Sequence, residues 1–317
     1  MPSTAGAQHR RVHCSKPRHR QLFPGRSTRP RLQSRGTLVT ATIALAVGVL
    51  ASVLLMADRP ADASGSPGWL VTCTAVHSLQ DDPVVHPGMS GMSHLHDFIG
   101  NPTTISDSTY TSMTSATSGC VLPSDTAGYW VPALYRNGVK IKPGGAGVRE
   151  QIYYRANNLV SGTKVMPFPA DLRMVAGNSM ATSATQNPKL GKEIYWGCSD
   201  NSTGKLIAPP PSCATGIVTL HVGFPNCWDG VLTHSNDTAH LAYPKSGYCP
   251  SGFPRALPRV IERWEYPVGT RTGTVTLSSG APYTAHGDFW NTWNQTRLVS
   301  LVAYCLNKNI DCGKPTS

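Results

Sequence analysis

Eight cysteines do most to limit what this chain can become. They are Cys73, Cys120, Cys198, Cys213, Cys227, Cys249, Cys305 and Cys312, and all follow an uncharged, mostly apolar run at residues 38 to 57. Residues 1 to 36, ahead of that run, hold nine Lys or Arg, no acid, and the remaining cysteine, Cys14. A basic segment, an apolar segment and the small-x-small triplet Ala61-Asp62-Ala63 read as a secretory leader over residues 1 to 63. The alternative is an uncleaved anchor, since about 20 apolar residues cross a bilayer once. Both readings export residues 64 to 317, either secreted or held at the membrane by residues 38 to 57. In an exported chain an even set of cysteines reads as disulfides. Eight cysteines allow about a hundred pairings. Local spacing favours Cys198–Cys213, Cys227–Cys249 and Cys305–Cys312, which leaves Cys73–Cys120. No Cys-x-x-Cys pair exists, so a thiolate zinc cluster fits poorly.

The leader also carries most of the charge. The whole chain is +11, but residues 1 to 63 hold ten basic and two acidic residues, and the exported part is only +3. No basic stripe is left to neutralise phosphates, which argues against nucleic acid as a partner. Charged residues make up 14% of the chain, well below the roughly 25% of ordinary domains. With 30 Gly and 26 Pro, the exported residues 64 to 317 read as one loop-rich domain with a weakly charged surface.

Strand signals dominate that domain. Residues 69 to 76 (WLVTCTAV), 150 to 155 (EQIYYR), 259 to 266 (RVIERWEY) and 273 to 277 (GTVTL) are short β-prone runs. Residues 129 to 135 form a further run, broken at Pro132 and closed by an Asn-Gly turn. In IVTLHVGF (217 to 224), Val218, Leu220, Val222 and Phe224 share one face by alternation. Residues 102 to 120, 166 to 178 and 179 to 193 read as loops or connections. Leu298, Leu301, Val302 and Cys305 recur at helical spacing, and Asp288 or Asn291 is the expected cap. The pattern predicts a mainly β fold of sandwich or jelly-roll type, with a short C-terminal helix and long disulfide-stapled loops; an α+β arrangement is the alternative.

The motifs run in a recognisable order: DPVVHPG with SHLHDFIGN, DTAGYWVPALYRNG, PADLRMVAGN, FPNCWDG, DTAHLAYP with GYCPSGFP, and HGDFWNTW. Together they resemble the DUF1996 family over roughly Cys73 to Cys305. That resemblance implies an exported bacterial or fungal domain with no established function. Some fungal members carry WSC-type carbohydrate-binding modules, which implies a cell-wall setting. The chain departs from the family pattern at Thr292, where glycine is usual in the last motif.

The chemistry-bearing groups gather around residues 82 to 101. In an extended chain His94 and His96 point to one side and Leu95 to the other. Two imidazoles so placed suit a metal pair, with His240, His221, His234 or His286 as a third ligand. Met92 would favour copper among divalent or other ions. The expected metal set is His94, His96, His240 and Met92, against a bland alternative in which the histidines pack and hydrogen-bond without an ion. Asp97, Asp229 and Asp288 join His94, His96 and His240 as the candidate catalytic set, by carboxylate-pair hydrolysis or proton abstraction. Asp229 also fits a turn and Asp288 a helix cap. Trp130, Trp228, Trp290, Trp293, Tyr243 and His286 are the candidate substrate contacts, the aromatics as stacking platforms. No Gly-x-Ser-x-Gly elbow or phosphate loop is present.

Three functions are consistent with this set: a polysaccharide hydrolase or lyase acting on cell-wall or environmental glycan, a non-catalytic glycan-binding surface protein, or a copper- or other metal-binding protein.

Overall fold

A computed structural model describes residues 66 to 144, 150 to 235 and 239 to 316. The expected leader, its anchor alternative at residues 38 to 57 and Cys14 lie outside the described residues. The chain divides into two units, Met1–Leu55 and Met56–Ser317, and the described residues belong to the second.

Among the described residues sixteen strands follow one another: β1 (Gly68–Cys73), β2 (Ala75–Leu79), β3 (His96–Gly100), β4 (Gly128–Pro132), β5 (Leu134–Arg136), β6 (Val139–Ile141), β7 (Glu150–Arg155), β8 (Arg173–Gly177), β9 (Ile194–Cys198), β10 (Ile217–Gly223), β11 (Cys227–Trp228), β12 (Leu241–Ala242), β13 (Arg255–Ala256), β14 (Arg259–Pro267), β15 (Val275–Leu277) and β16 (His286–Trp290). Two five-stranded antiparallel sheets, β1-β7-β14-β10-β9 and β2-β3-β4-β16-β8, carry the fold. Two small sheets, β12-β11-β13 and β15-β5-β6, flank them. The mainly β expectation holds.

The large sheets share one apolar core. Trp69, Tyr154, Val218, Leu220, Val222 and Trp264 of the first meet Tyr129, Val131, Met174 and Phe289 of the second. Trp69 stacks on Tyr154 at 4.7 Å between ring centroids, and Tyr129 packs against Phe289 at 5.3 Å. Gly287 faces the first sheet at close range: an added Cβ would stand 3.0 Å from Val222 Cγ1, 3.2 Å from Glu262 Oε2 and 3.3 Å from Val131 Cγ1. A side chain there would push on all three, which suits glycine as the second residue of the HGDF motif. The core also buries a polar chain, in which Asp125 accepts from Tyr129 Oη at 2.9 and 2.8 Å and Tyr154 Oη accepts from Trp293 Nε1 at 2.8 Å.

All four expected disulfides form: Cys73–Cys120, Cys198–Cys213, Cys227–Cys249 and Cys305–Cys312. They fit an exported protein. Among the described residues no helix is long and apolar enough to cross a membrane.

Some local expectations need correction. The loop at 102 to 120 contains a helical turn, α1 (Tyr110–Thr114), started by a capping box between Thr109 and Ser112. Residues 69 to 76 split between β1 and β2. The C-terminal helix α2 (Gln295–Leu301) is capped by Asn294, whose side chain accepts from Arg297 N at 3.0 Å. Asp288 and Asn291 do not cap it. Asp288 lies within β16 instead, and Asn291 Nδ2 donates to Pro169 O.

Candidate functional site

The outer face of the second sheet carries the site. Alternation sends Ile99, Tyr129, Val131 and Phe289 inward and His96, Phe98, Trp130, His286, Asp288 and Trp290 outward. Phe98, Trp130 and Trp290 pack with Met113 into a second buried cluster, the apolar floor beside the site. β3 and β16 both pair with β4, so His96 and His286 stand on either side of one strand. Register sets the level: His96 opposes Pro132 and Asp288 opposes Trp130, which brings His286 alongside Pro132. On the far side His286 opposes Gly177, whose φ is +99°; an added Cβ there would meet Ala285 O at 2.4 Å and His286 Cβ at 2.8 Å. Glycine at 177 makes room for the histidine.

Three imidazoles converge over this surface. His96 Nε2 lies 3.4 Å from His286 Nε2, and His94 Nε2 lies 3.1 Å from His286 Nε2. His94 sits just before β3 and packs its ring 4.2 Å from that of His96, so the extended His-x-His geometry is present. His96 Nδ1 lies 2.9 Å from Asp81 O, and His286 Nδ1 lies 2.8 Å from Thr284 O. A carbonyl only accepts, so both Nδ1 atoms carry the hydrogen and both Nε2 atoms present lone pairs. Metal-binding histidines are held in this way. Imidazoles bound tetrahedrally at about 2.0–2.1 Å put their nitrogens about 3.3–3.4 Å apart. One nitrogen from each of the three residues lies within 4.8 Å of the other two.

Two carboxylates border the imidazoles. Asp82, Asp288 and His96 also offer ligand atoms within 4.8 Å of one another. Asp82 Oδ1 accepts from Val84 N and Val85 N at 3.1 and 3.0 Å, which fixes the start of the loop. Asp288 is fully buried, and neither of its oxygens has a hydrogen-bond partner among the described residues. A polar group so placed costs stability unless something pairs with it. The cavity beside it, about 400 Å³, is lined by His86, Met92, Ser93, Asn178, Ser179 and Met180 as well as Asp82, His94, His286 and Asp288.

Burial sets the electrostatics. It pulls His94 down to about 4, helped by His86, and His286 down to about 3, helped by His94. His96 falls well below the ordinary imidazole value through burial and the neighbouring His286 and His94. Burial also pushes Asp288 well above the carboxylate range, reinforced by Asp82 and Glu262, and raises Asp82. At neutral pH the three imidazoles are therefore uncharged donors, and a cation among them would draw the carboxylates toward their ionised forms.

The remaining expected site residues lie elsewhere. Asp97 follows His96 and points to the opposite face, where it accepts from Lys140 Nζ at 2.7 Å and Ser78 Oγ at 2.5 Å. His240 does not join the cluster: its Nε2 lies 2.9 Å from Arg173 O and its Nδ1 2.8 Å from Ser235 Oγ. His286 is the histidine that stands beside His94 and His96. His221 is buried against Tyr195 at 4.3 Å, and His234 pairs with Thr233. Asp229 forms a turn, accepting from Val231 N and Leu232 N, and Trp228 Nε1 donates into the same turn at Leu232 O. Trp130, Trp290 and Trp293 have at most 1% of their surface exposed, so they are core residues and no ring reaches them from solvent. Tyr243 spends its hydroxyl on Gly223 O and lies under Lys189 Nζ. Met92 stands on the cavity wall. Asp82, His86, Asn178, Ser179 and Met180 are site residues that sequence reasoning left unassigned. The first two lie in the histidine stretch, and Asn178 ends the PADLRMVAGN motif.

Comparison with known proteins adds the family. A model described as a domain of unknown function (DUF1996) matches residues 82–293, more than half of the chain and the whole span from Asp82 to Asp288. No curated protein and no solved structure matches this chain. With that match over more than half of its length, the chain belongs to the DUF1996 family.

Proposed function

We propose that this chain is an exported metal-binding protein whose ion sits among His94, His96 and His286, with a coordination position open to the cavity. One observation carries the reading: the Nε2 atoms of His96 and His286 meet at 3.4 Å while both Nδ1 hydrogens are tied to backbone carbonyls. Two lone pairs aimed at each other gain nothing, and a cation between them turns that arrangement into bonding. Three protein ligands with a position left over is the pattern of catalytic centres, whereas structural zinc sites are closed by a fourth. Elemental analysis of protein purified without chelator or polyhistidine tag, before and after incubation with zinc and copper salts, tests it. About one ion per chain is expected, lost in the H96A/H286A variant. A ratio that stays near zero in the parent after every reconstitution overturns the reading.

The unpartnered Asp288 favours a second reading, in which the centre cleaves a substrate held in the cavity. As a carboxylate beside a bound ion, Asp288 would take a proton from metal-bound water or from a sugar ring carbon. Export makes an extracellular polysaccharide the substrate class to test. With Trp130, Trp290 and Trp293 buried and Trp228 turned to Leu232 O, its contacts would fall to Ser93, Asn178 and Ser179, and a glycan-binding protein without turnover would use the same wall. Product release from a polysaccharide panel, abolished in D288N with the ion retained, supports cleavage. Saturable glycan binding without product supports the non-catalytic form, and neither outcome across the panel removes glycan from the proposal.

A further inference from the structure

The cavity has an unusual rim. Met92, in the loop before β3, is 65% exposed, and Met180, in the loop after β8, is 82% exposed; both line the cavity beside His94, His286 and Asp288. Met89, also exposed, is joined to Met92 by a turn in which Met92 N donates to Met89 O. Of the other described methionines, Met113 and Met174 are fully buried and Met166 is 38% exposed, so the two cavity-lining methionines are the most exposed of the set. Both rim positions are anchored at the backbone. Met180 N donates to Asn178 Oδ1 at 3.0 Å, and Gly91 and Ser90, next to Met92, donate to Asp81 Oδ1 at 3.2 and 2.9 Å. Two separate loops thus hold thioethers at the mouth of a histidine centre. A thioether is a soft, neutral donor that selects copper(I) over hard divalent ions.

We propose that Met92 and Met180 form an outer station for copper(I), which takes the ion from solvent and hands it inward to His94, the half-buried member of the three histidines. The inference rests on the histidine centre proposed above and names the ion it receives. The transfer is a ligand exchange: copper–sulfur bonds break as copper–nitrogen bonds form. No electron moves and no proton leaves the protein: Nε2 of His96 and of His286 carry no hydrogen, and His94, whose Nε2 lies 3.1 Å from His286 Nε2, keeps its one hydrogen on the ring nitrogen that does not bind.

Anaerobic competition against a chromogenic copper(I) chelator tests it on the full exported domain, with stopped-flow measurement of uptake. The variants are M92L/M180L, and M166L as a methionine outside the cavity lining. Leucine conserves volume, and the positions are exposed, so folding is retained. M92L/M180L should lose about tenfold or more in copper(I) affinity or uptake rate, the scale set by losing a supporting group at a metal site. Its zinc and copper(II) occupancy should stay at the parent value, and M166L should match the parent throughout. Copper-edge X-ray absorption of copper(I)-loaded H96A/H286A should show sulfur ligation that M92L/M180L removes. Unchanged copper(I) affinity and uptake in M92L/M180L overturns the station and leaves the histidine centre standing. Failure of the parent to bind any ion overturns the centre itself, and the station with it.

Discussion

His96 and His286 are 190 residues apart in the chain, and their Nε2 atoms stand 3.4 Å from each other. β4 separates their strands, and each ring is turned inward by a carbonyl on its far side. The spacing of the two nitrogens is therefore a property of sheet register and does not depend on a loop closing over them.

Removing either ring should disable the centre. H96A and H286A each take away one of three neutral donors, so the affinity for zinc or copper should fall by more than the roughly 10–100-fold that loss of an outer partner costs. Competitive chelator titration measures this. An affinity unchanged in both variants would show that ions bind elsewhere.

His240 should behave in the opposite way. Its ring nitrogens are engaged by Arg173 O and Ser235 Oγ, away from the cluster. H240A should leave ion stoichiometry at the parent value while lowering stability by about 1–3 kcal/mol through the lost buried hydrogen bonds. Chemical denaturation alongside elemental analysis separates the two effects.

Trp290 should matter to the fold and not to any ligand. It is fully buried, donates to Asp171 Oδ1 at 2.6 Å and lies under the Arg173 guanidinium at 4.0 Å. W290A should cost about 3–5 kcal/mol, seen as a lowered Tm. A variant with parental stability but weakened glycan binding would contradict the buried placement.

Stability of the metal-free protein should fall toward both ends of the pH range. His94 and His286 titrate at about 4 and about 3 in the folded chain and at 6.5 when unfolded. Below about pH 6.5 the unfolded state takes up protons first, so stability falls as pH drops toward 4. Asp125 has the opposite sign: burial raises it to about 8 from 3.8, so the folded state keeps a proton that the unfolded state has released. Its contribution is lost as pH rises from about 4 to 8. D125N should flatten the alkaline decline in urea denaturation series at pH 5 and pH 8; an unaltered decline would assign it to another buried acid such as Glu262.

Local features were legible where local physics decides them. Glu150 to Arg155, Ile217 to Gly223 and Arg259 to Pro267 were readable because β-branched and aromatic residues crowd short runs between turn formers. The disulfides followed from spacing. β16 was not readable, because HGDFW is buried on both faces and shows no alternation. Alternation along β3 places Asp97 on the face opposite His96, a separation legible in the sequence itself. The choice of His286 over His240 lay beyond any local pattern, since it depends on the register of β3 and β16 across β4. Trp130, Trp290 and Trp293 belong to the core because large rings serve a core as readily as a binding surface.

Asp81 joins two parts of the site. Its backbone oxygen holds the Nδ1 hydrogen of His96, while its carboxylate gathers Ser90, Gly91 and Ser106. The loop that carries His86 and Met92 and the imidazole of His96 are thus tied to a single residue. Were the proposed ion to bind, its hold on that ring and the position of the loop over the cavity would be coupled through Asp81.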